Sequence, residues 1–579
     1  MDTLHQHNVK VGNAARHELI VEYKFKSTDS KHIIQIPYWR PGRYEAGNFP
    51  KKYVNLRVFD GKTEIDSFKL SPNTWEISCK PDQIIRITYT YYADDLTAGN
   101  TYCDEELLLI NPVNSLIYAR GYEHDPGNLT LEYLESWSWA SGLDVVGNNK
   151  ETVKFSYGDI QELMDSPILA CKHLQTFEYE VKGIHFYAHF GGEPVPNIEE
   201  IERDYKLFSE AQIRNFGSFP VQNYYFLNIL LPHKAYHGVE HENNTVIIYG
   251  PAEKLAERKE YLDLMGVSSH ELYHTWNVKS LRPAEWMPYD FEKPGFSRLG
   301  YVAEGVTTYM GDYMLWHAGV ISDEEFLDEL STIVEKHLLN EGYKSLSLAD
   351  SSVDTWVDGY GRTTPSRRVS IYNEGAMLAI VCDIWLQKYA DLSMNDFMKL
   401  LFEKRGGKKG YSEQDYWTLL EEMADAPWQK LFNDCVNGRG KLFGYFEEAL
   451  NFMGLDISYL PSEKSWERYW GVRLLNSDKG VEILNLKKGS SADLAGLDEG
   501  DTFLKIDGIS PTEFLEQNRS KELQKTDVEI KSGFRKKELM LQPDGDTGIP
   551  EYKVVLNEKS NRFKNWKNAA HVNELDMNG

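Results

Sequence analysis

Three residues with chemical potential fall close together in the stretch Gly266–Pro283: His270, Glu271 and His274, a His-Glu-x-x-His pattern. On a helix, positions i and i+4 share one face, so two imidazoles there can reach one metal ion. Glu271 follows the first histidine and points beside such a metal, where a carboxylate can take a proton from an attacking water. Chance would supply the pattern roughly 0.07 times in a chain of this length and composition, so the motif needs company before it decides anything. A catalytic zinc takes three protein ligands and keeps one position open. The third ligand has a candidate in Glu304, thirty positions beyond His274 in "YVAEGVTTYMGDYM". There Thr308 and Asp312 share its helical side and are candidates to hold a ligand imidazole through its other nitrogen. From spacing alone, Glu304 is equally a carboxylate at a helix start.

Two further segments carry suitable groups. "HGVEH" places Gly238, Glu240 and His241 ahead of a strand pattern as candidate substrate-binding residues, and a carboxylate there can pair with a substrate's α-ammonium. Taken alone, a turn with exposed charges accounts for it. "SIYNEGA" places Tyr372 before an apolar helix, where a phenol can donate to the oxyanion of a tetrahedral intermediate. Taken alone, a packed tyrosine accounts for that too.

The elements that must position these groups divide the 579 residues into several units. Residues 1–172 read as an all-β, sandwich-like domain, from runs such as "HELIVEYKF" and "IIRITYTYYA" separated by Pro and Gly turns. Residues 173–458 begin with strands and continue as helices, which fits an α+β catalytic domain. Residues 463–555 show strand, Gly-Ser turn, short helix and strand in "ILNLKKGSSADLAGLDEGDTFLKIDG", and residues 556–579 form a tail.

A net charge of −26 argues against nucleic acid and anionic membrane surfaces as partners. The five cysteines form no CxxC pair, so neither a disulfide framework nor a thiolate zinc site is expected. No apolar run is long enough to span a bilayer. The N-terminus lacks the basic start and apolar stretch of a signal peptide. The chain as given therefore reads as cytoplasmic, and as periplasmic or secreted if a leader has been removed.

Together, "SSHELYHTWNVKSLRPAEW", "YVAEGVTTYMGDYM", "HGVEH" and "SIYNEGA" resemble the glycyl aminopeptidase family of zinc metallopeptidases, and "IPYWRPGRYEAGNFPKKYVNLRVFDG" resembles its opening β-domain. The resemblance implies a thermolysin-like catalytic domain and one Zn2+ ion held by His270, His274 and Glu304. It implies Glu271 as general base, Tyr372 at the oxyanion and Glu240 at the substrate's free N-terminus. His237 and Glu374 depart from the family's "GGxEH" and "YxKGA" forms. Residues 463–555 resemble a PDZ domain, with Ser491 in place of a proline. That resemblance implies a groove for peptide C-termini at Trp470, Gly471 and Val472, the first two donating backbone amides. The implied activity is removal of N-terminal Gly or Ala from peptides. An endopeptidase, or an inactive peptide-binding scaffold, are the alternatives. No role follows from sequence for Asn277 or Arg282.

Overall fold

The computed structural model describes residues 5–569, apart from 134–135, 362, 408, 478–479, 546 and 558–560. The described residues from His5 to Cys171 form the expected all-β domain, with one eight-stranded and two four-stranded sheets. Its strands follow a period of two. In Glu18–Lys26 the side chains of Leu19, Val21, Tyr23 and Phe25 are buried, and in its antiparallel partner Ile84–Tyr92 those of Ile85, Ile87, Tyr89 and Tyr91. Alternation with one buried face fixes the register, because a slip of one residue would turn the apolar set to water. The core of this domain continues into Val278, Trp286, Tyr289, Phe291, Ala303 and Ile371. It is thus packed directly on the segments that follow the His-Glu-x-x-His helix.

The catalytic region opens with a five-stranded sheet in the order Leu174–Val181, Ile184–Gly192, Asn223–Leu230, Asn244–Gly250, Ala235–Glu240. The last of these is the edge strand, antiparallel to its neighbour. Helices follow: Arg258–Tyr273, Thr307–His317, Asp323–Leu339 and Asn373–Ala390. Asn373–Ala390 is buried on nearly every side, as its continuous apolar sequence requires, and forms the centre of the helical half. Asp323–Leu339 starts with a capping box in which Ser322 and Glu325 satisfy each other's backbone amides.

The C-terminal unit is a five-stranded antiparallel sheet, Val472 to Leu541, with short helices at Ser491–Leu494 and Pro511–Asn518. The chain then returns, and Pro550–Leu556 pairs with Leu455–Pro461, the strand that left the catalytic region. The expected free tail is only partly that. Arg562–Asn568 is a helix whose Trp566 is fully buried and donates from Nε1 to Asp383 Oδ2 at 2.7 Å, while Tyr313 donates to the Trp566 carbonyl at 2.7 Å. Apolar surface and a buried indole N–H, both needing partners, draw this segment onto the catalytic helices. Residues 570–579 lie outside the described residues. Among the described residues, no helix is long and apolar enough to cross a membrane.

Candidate active site

His270 and His274 project from one face of Arg258–Tyr273, with their Nε2 atoms 2.9 Å apart and rings nearly perpendicular. Glu304 lies in a wide turn, Tyr301–Val306, that leads into Thr307–His317. Its Oε2 is 3.4 Å from His274 Nε2 and 3.8 Å from His270 Nε2. Donors about 2.0–2.2 Å from a tetrahedral zinc stand roughly 3.4 Å from one another, so this set fits such an ion. A second group, Glu240, Glu271 and His274, also converges within 4.8 Å. It shares only His274 with the first. Among the described residues, one buried oxygen each of Glu240 and Glu271 has no hydrogen-bond partner and so is free to meet a bound group.

The turn after the helix sets the orientation of His274. Asn277 breaks the helical path at φ −108°, ψ 89°, and its carbonyl accepts from His274 Nδ1 at 2.7 Å. That fixes Nδ1 as the protonated nitrogen and leaves the Nε2 lone pair for the cleft. The Asn277 side chain is itself tied to Val302 and Ala303 carbonyls and to Thr307 Oγ1, so it joins the histidine turn to the Glu304 turn. Helical spacing makes Thr308 and Asp312 the candidates for this bracing role. Both instead line the cleft, and Asn277 does the holding.

Glu271 is 5% exposed, and burial pushes its carboxyl well above the ordinary range; a cation beside it would oppose that shift. It packs against the edge strand at Gly238, where a β-carbon would stand 2.1 Å from Glu271 Oε1. Tyr372 caps Asn373–Ala390 and faces the same cleft. It can come this close to Glu304 because Gly305 and Gly375 meet backbone to backbone, a β-carbon on Gly305 falling 2.3 Å from the Gly375 Cα. Burial, then Glu304 and Tyr360, raise the Tyr372 phenol well above its usual range, so it remains a proton donor.

One wall comes from an unexpected place. The N-terminal domain sends a loop, residues 40–45, into the cleft. Tyr44 donates to Glu304 Oε1 at 2.6 Å and stacks on Trp286. Gly42 has φ +75° and lies so close to Glu240 that a β-carbon would be 2.4 Å from Oε2. Arg40 is buried behind them, and desolvation with Arg43 brings its pKa down to about 10. Arg43 sits over the Tyr360 ring. No spacing in the sequence marks these residues for a role at the site. The only signal was a glycine among cations and aromatics in "YWRPGRYEAG".

Other expected site residues stand elsewhere. His241 does not line the cleft: its Nδ1 is 3.0 Å from Asp165 Oδ1 of the N-terminal domain, which also accepts from Lys279 Nζ at 2.8 Å. Burial alone would raise the Asp165 carboxyl, but Lys279 and His241 outweigh it and hold it well below the carboxylate range. This network ties the Glu240 strand to the segment after His274. Arg282 braces the same segment, donating to the Lys279 carbonyl at 2.8 Å and lying 3.9 Å over the Tyr289 ring. His237 lines the cleft and is pushed down to about 3 by burial. Glu374 turns away and pairs with His337 at 2.8 Å.

The C-terminal groove reading is corrected at Gly471. Its N–H closes the helix Ser465–Trp470 by donating to the Trp466 carbonyl, so it is not free for a carboxylate. The Trp470 ring is buried against Phe514, and Val472 is buried in a strand paired to Leu486.

The cleft, about 400 Å³, thus brings His270, His274 and Glu304 together with Glu240 and Glu271, and Tyr372 lines it as well. Residues 6–172 match the Peptidase M61 N-terminal domain, and residues 263–378 match M61 glycyl aminopeptidase. The chain matches models of this one family in two separate regions. It is a peptidase, built on the multidomain fold described above. A crystal structure of an aminopeptidase N family protein from Idiomarina loihiensis shares that fold with a TM-score of 0.89 at 22% identity, over 97% of this chain and 99% of the other. An M1 zinc metallopeptidase from Deinococcus radiodurans matches 76% of this chain and 94% of its own at 15% identity and a TM-score of 0.47. No curated protein matches the chain.

Proposed function

We propose that the protein is a zinc-dependent aminopeptidase that removes small N-terminal residues, Gly or Ala, from peptides. The observation that carries this reading is the convergence of His270, His274 and Glu304 beside Glu271 and Glu240 in one cleft. The two imidazoles and Glu304 would hold one zinc ion. When bound, that ion supplies Lewis-acid polarisation of the scissile carbonyl and of the attacking water. Glu271 takes the water's proton and returns it to the departing amine. Tyr372 donates its hydroxyl proton in a hydrogen bond to the developing oxyanion.

Glu240 holds the substrate's α-ammonium, its unpartnered oxygen being the acceptor that awaits it. The Gly42 contact supports cutting at a chain end, since it packs the backbone of the loop 40–45 directly against Glu240.

The test is metal content of the purified protein, with turnover of glycyl and alanyl peptides and their N-acetylated forms. One zinc per chain, cleavage of the free peptides only, and loss of turnover in Glu271→Gln are expected. Cleavage of acetylated peptides would make it an endopeptidase. A metal-free protein with full activity would overturn the reading.

A further inference from the structure

A second cavity, about 560 Å³, lies between the catalytic region and the C-terminal sheet. It shares walls with the catalytic cleft. Tyr360 lines both, and the helix Asp323–Leu339 contributes Lys336 to the cleft and Leu338 and Leu339 to the cavity. From the other side come Leu475, Leu484 and Leu486 of the strands Val472–Ser477 and Gly480–Leu486. Leu475 and Leu484 are 43% and 52% exposed, large apolar side chains left uncovered on a wall of a cavity. The pairing of the two strands shifts register between Arg473 and Leu474, which leaves Leu484 as the extra residue of a bulge. Bulges re-aim a side chain, and here the side chain lines the cavity.

The cavity is built, not a gap between loosely tethered bodies. Arg473 pairs with Glu335, Lys488 with Glu341 at 3.2 Å, and the Val554 amide donates to Ser331 Oγ at 2.8 Å. Each joins the C-terminal part of the chain to the same catalytic helix or its end. Charge in the lining is balanced, with Arg368, Lys487 and Lys488 against Glu341, Glu482 and Glu499, so the cavity has no preference for a strongly charged ligand.

A peptide held by its first residue at Glu240 extends away from that carboxylate with its later residues. The cleft and this cavity share Tyr360 and one helix. We infer that the cavity receives the following residues of the substrate, an extended peptide with apolar side chains, and that Leu475 and Leu484 of the C-terminal sheet contact them. This rests on the aminopeptidase reading above. It gives the C-terminal unit a part in selecting substrate length, through a surface other than the Trp470–Val472 segment.

The experiment compares kcat/KM for the dipeptide Gly-Ala with that for a hexapeptide beginning Gly-Ala and continuing in leucines. Variants are Leu484→Asp, Leu475→Asp and, as a control, Leu494→Asp, which is 80% exposed on the same unit and away from the cavity. The ratio of hexapeptide to dipeptide is expected to fall about tenfold in the first two, the worth of one leucine contact, and to hold in the control. An unchanged ratio in Leu484→Asp and Leu475→Asp overturns the inference. Should neither peptide be cleaved, the aminopeptidase reading fails separately. Calorimetry with a hexapeptide N-methylated at its first peptide bond then decides the cavity by itself. Tighter binding than the dipeptide, lost in Leu484→Asp, supports it, and equal binding refutes it.

Discussion

Replacing Gly42 by alanine tests the end of the cleft with one methyl group. The added β-carbon would stand 2.4 Å from Glu240 Oε2, whereas ordinary contact begins near 3.4 Å, so the carboxylate must retreat by about 1 Å. Glu240 is 4% exposed and has little room to do so without leaving the position that meets the ammonium. Loss of one charge-assisted hydrogen bond is worth about 1.5–3 kcal/mol, or roughly a 10- to 150-fold loss in kcat/KM. The loss should fall on KM, because the ammonium is bound alike in ground and transition states. The left-handed backbone at φ +75° adds about 1–2 kcal/mol of strain to the fold, small for a chain of this size. Kinetics on glycyl-4-nitroanilide, with zinc content and thermal midpoint measured in parallel, separate these effects. Unchanged KM with the fold intact would show that loop 40–45 does not shape the amine site, and lost zinc would place its action at Glu304 through Tyr44 instead.

Other substitutions and conditions have defined outcomes. Asp165→Asn leaves Lys279 buried without its counter-charge and should cost about 3–5 kcal/mol, read from urea unfolding; a cost below 1 kcal/mol would remove the network from the structure's supports. Trp566→Ala should cost about 3–5 kcal/mol and lower the thermal midpoint; no change would mean the C-terminal helix is not docked in solution. Burial lowers the His7 pKa from 6.5 to about 4, so between those values the unfolded chain binds the extra proton. Stability supplied by neutral His7 is therefore present above pH 6.5 and lost as pH falls toward 4, by up to ~3 kcal/mol. His7→Gln should flatten the urea midpoint over that range, and an equally steep acid limb would contradict it.

The local code was largely readable. The all-β opening followed from alternating runs such as Glu18–Lys26, and the helical half from runs such as Asn373–Ala390. His270, Glu271 and His274 depend on one helix, and Glu304 on one more segment. The errors lie where a partner is distant in sequence. His241 was read beside a substrate because it adjoins Glu240, but its partner is Asp165, 76 positions earlier. Thr308 and Asp312 shared a helical side with Glu304, yet the backbone break at Asn277 supplied the acceptor for His274. Gly471 read as a free amide donor because a pattern does not show that a helix will consume its N–H.

The sequence by itself determined the spacing that puts two imidazoles on one helical face, since i and i+4 meet wherever a helix forms. Only the tertiary structure decided what closes around them. Tyr44 and Gly42 reach Glu304 and Glu240 across roughly two hundred residues or more, because the β-domain shares its core with the segments after His274. No periodicity encodes that distance. Packing of two domains does, and it places Gly42 and Tyr44 against two carboxylates of the cleft.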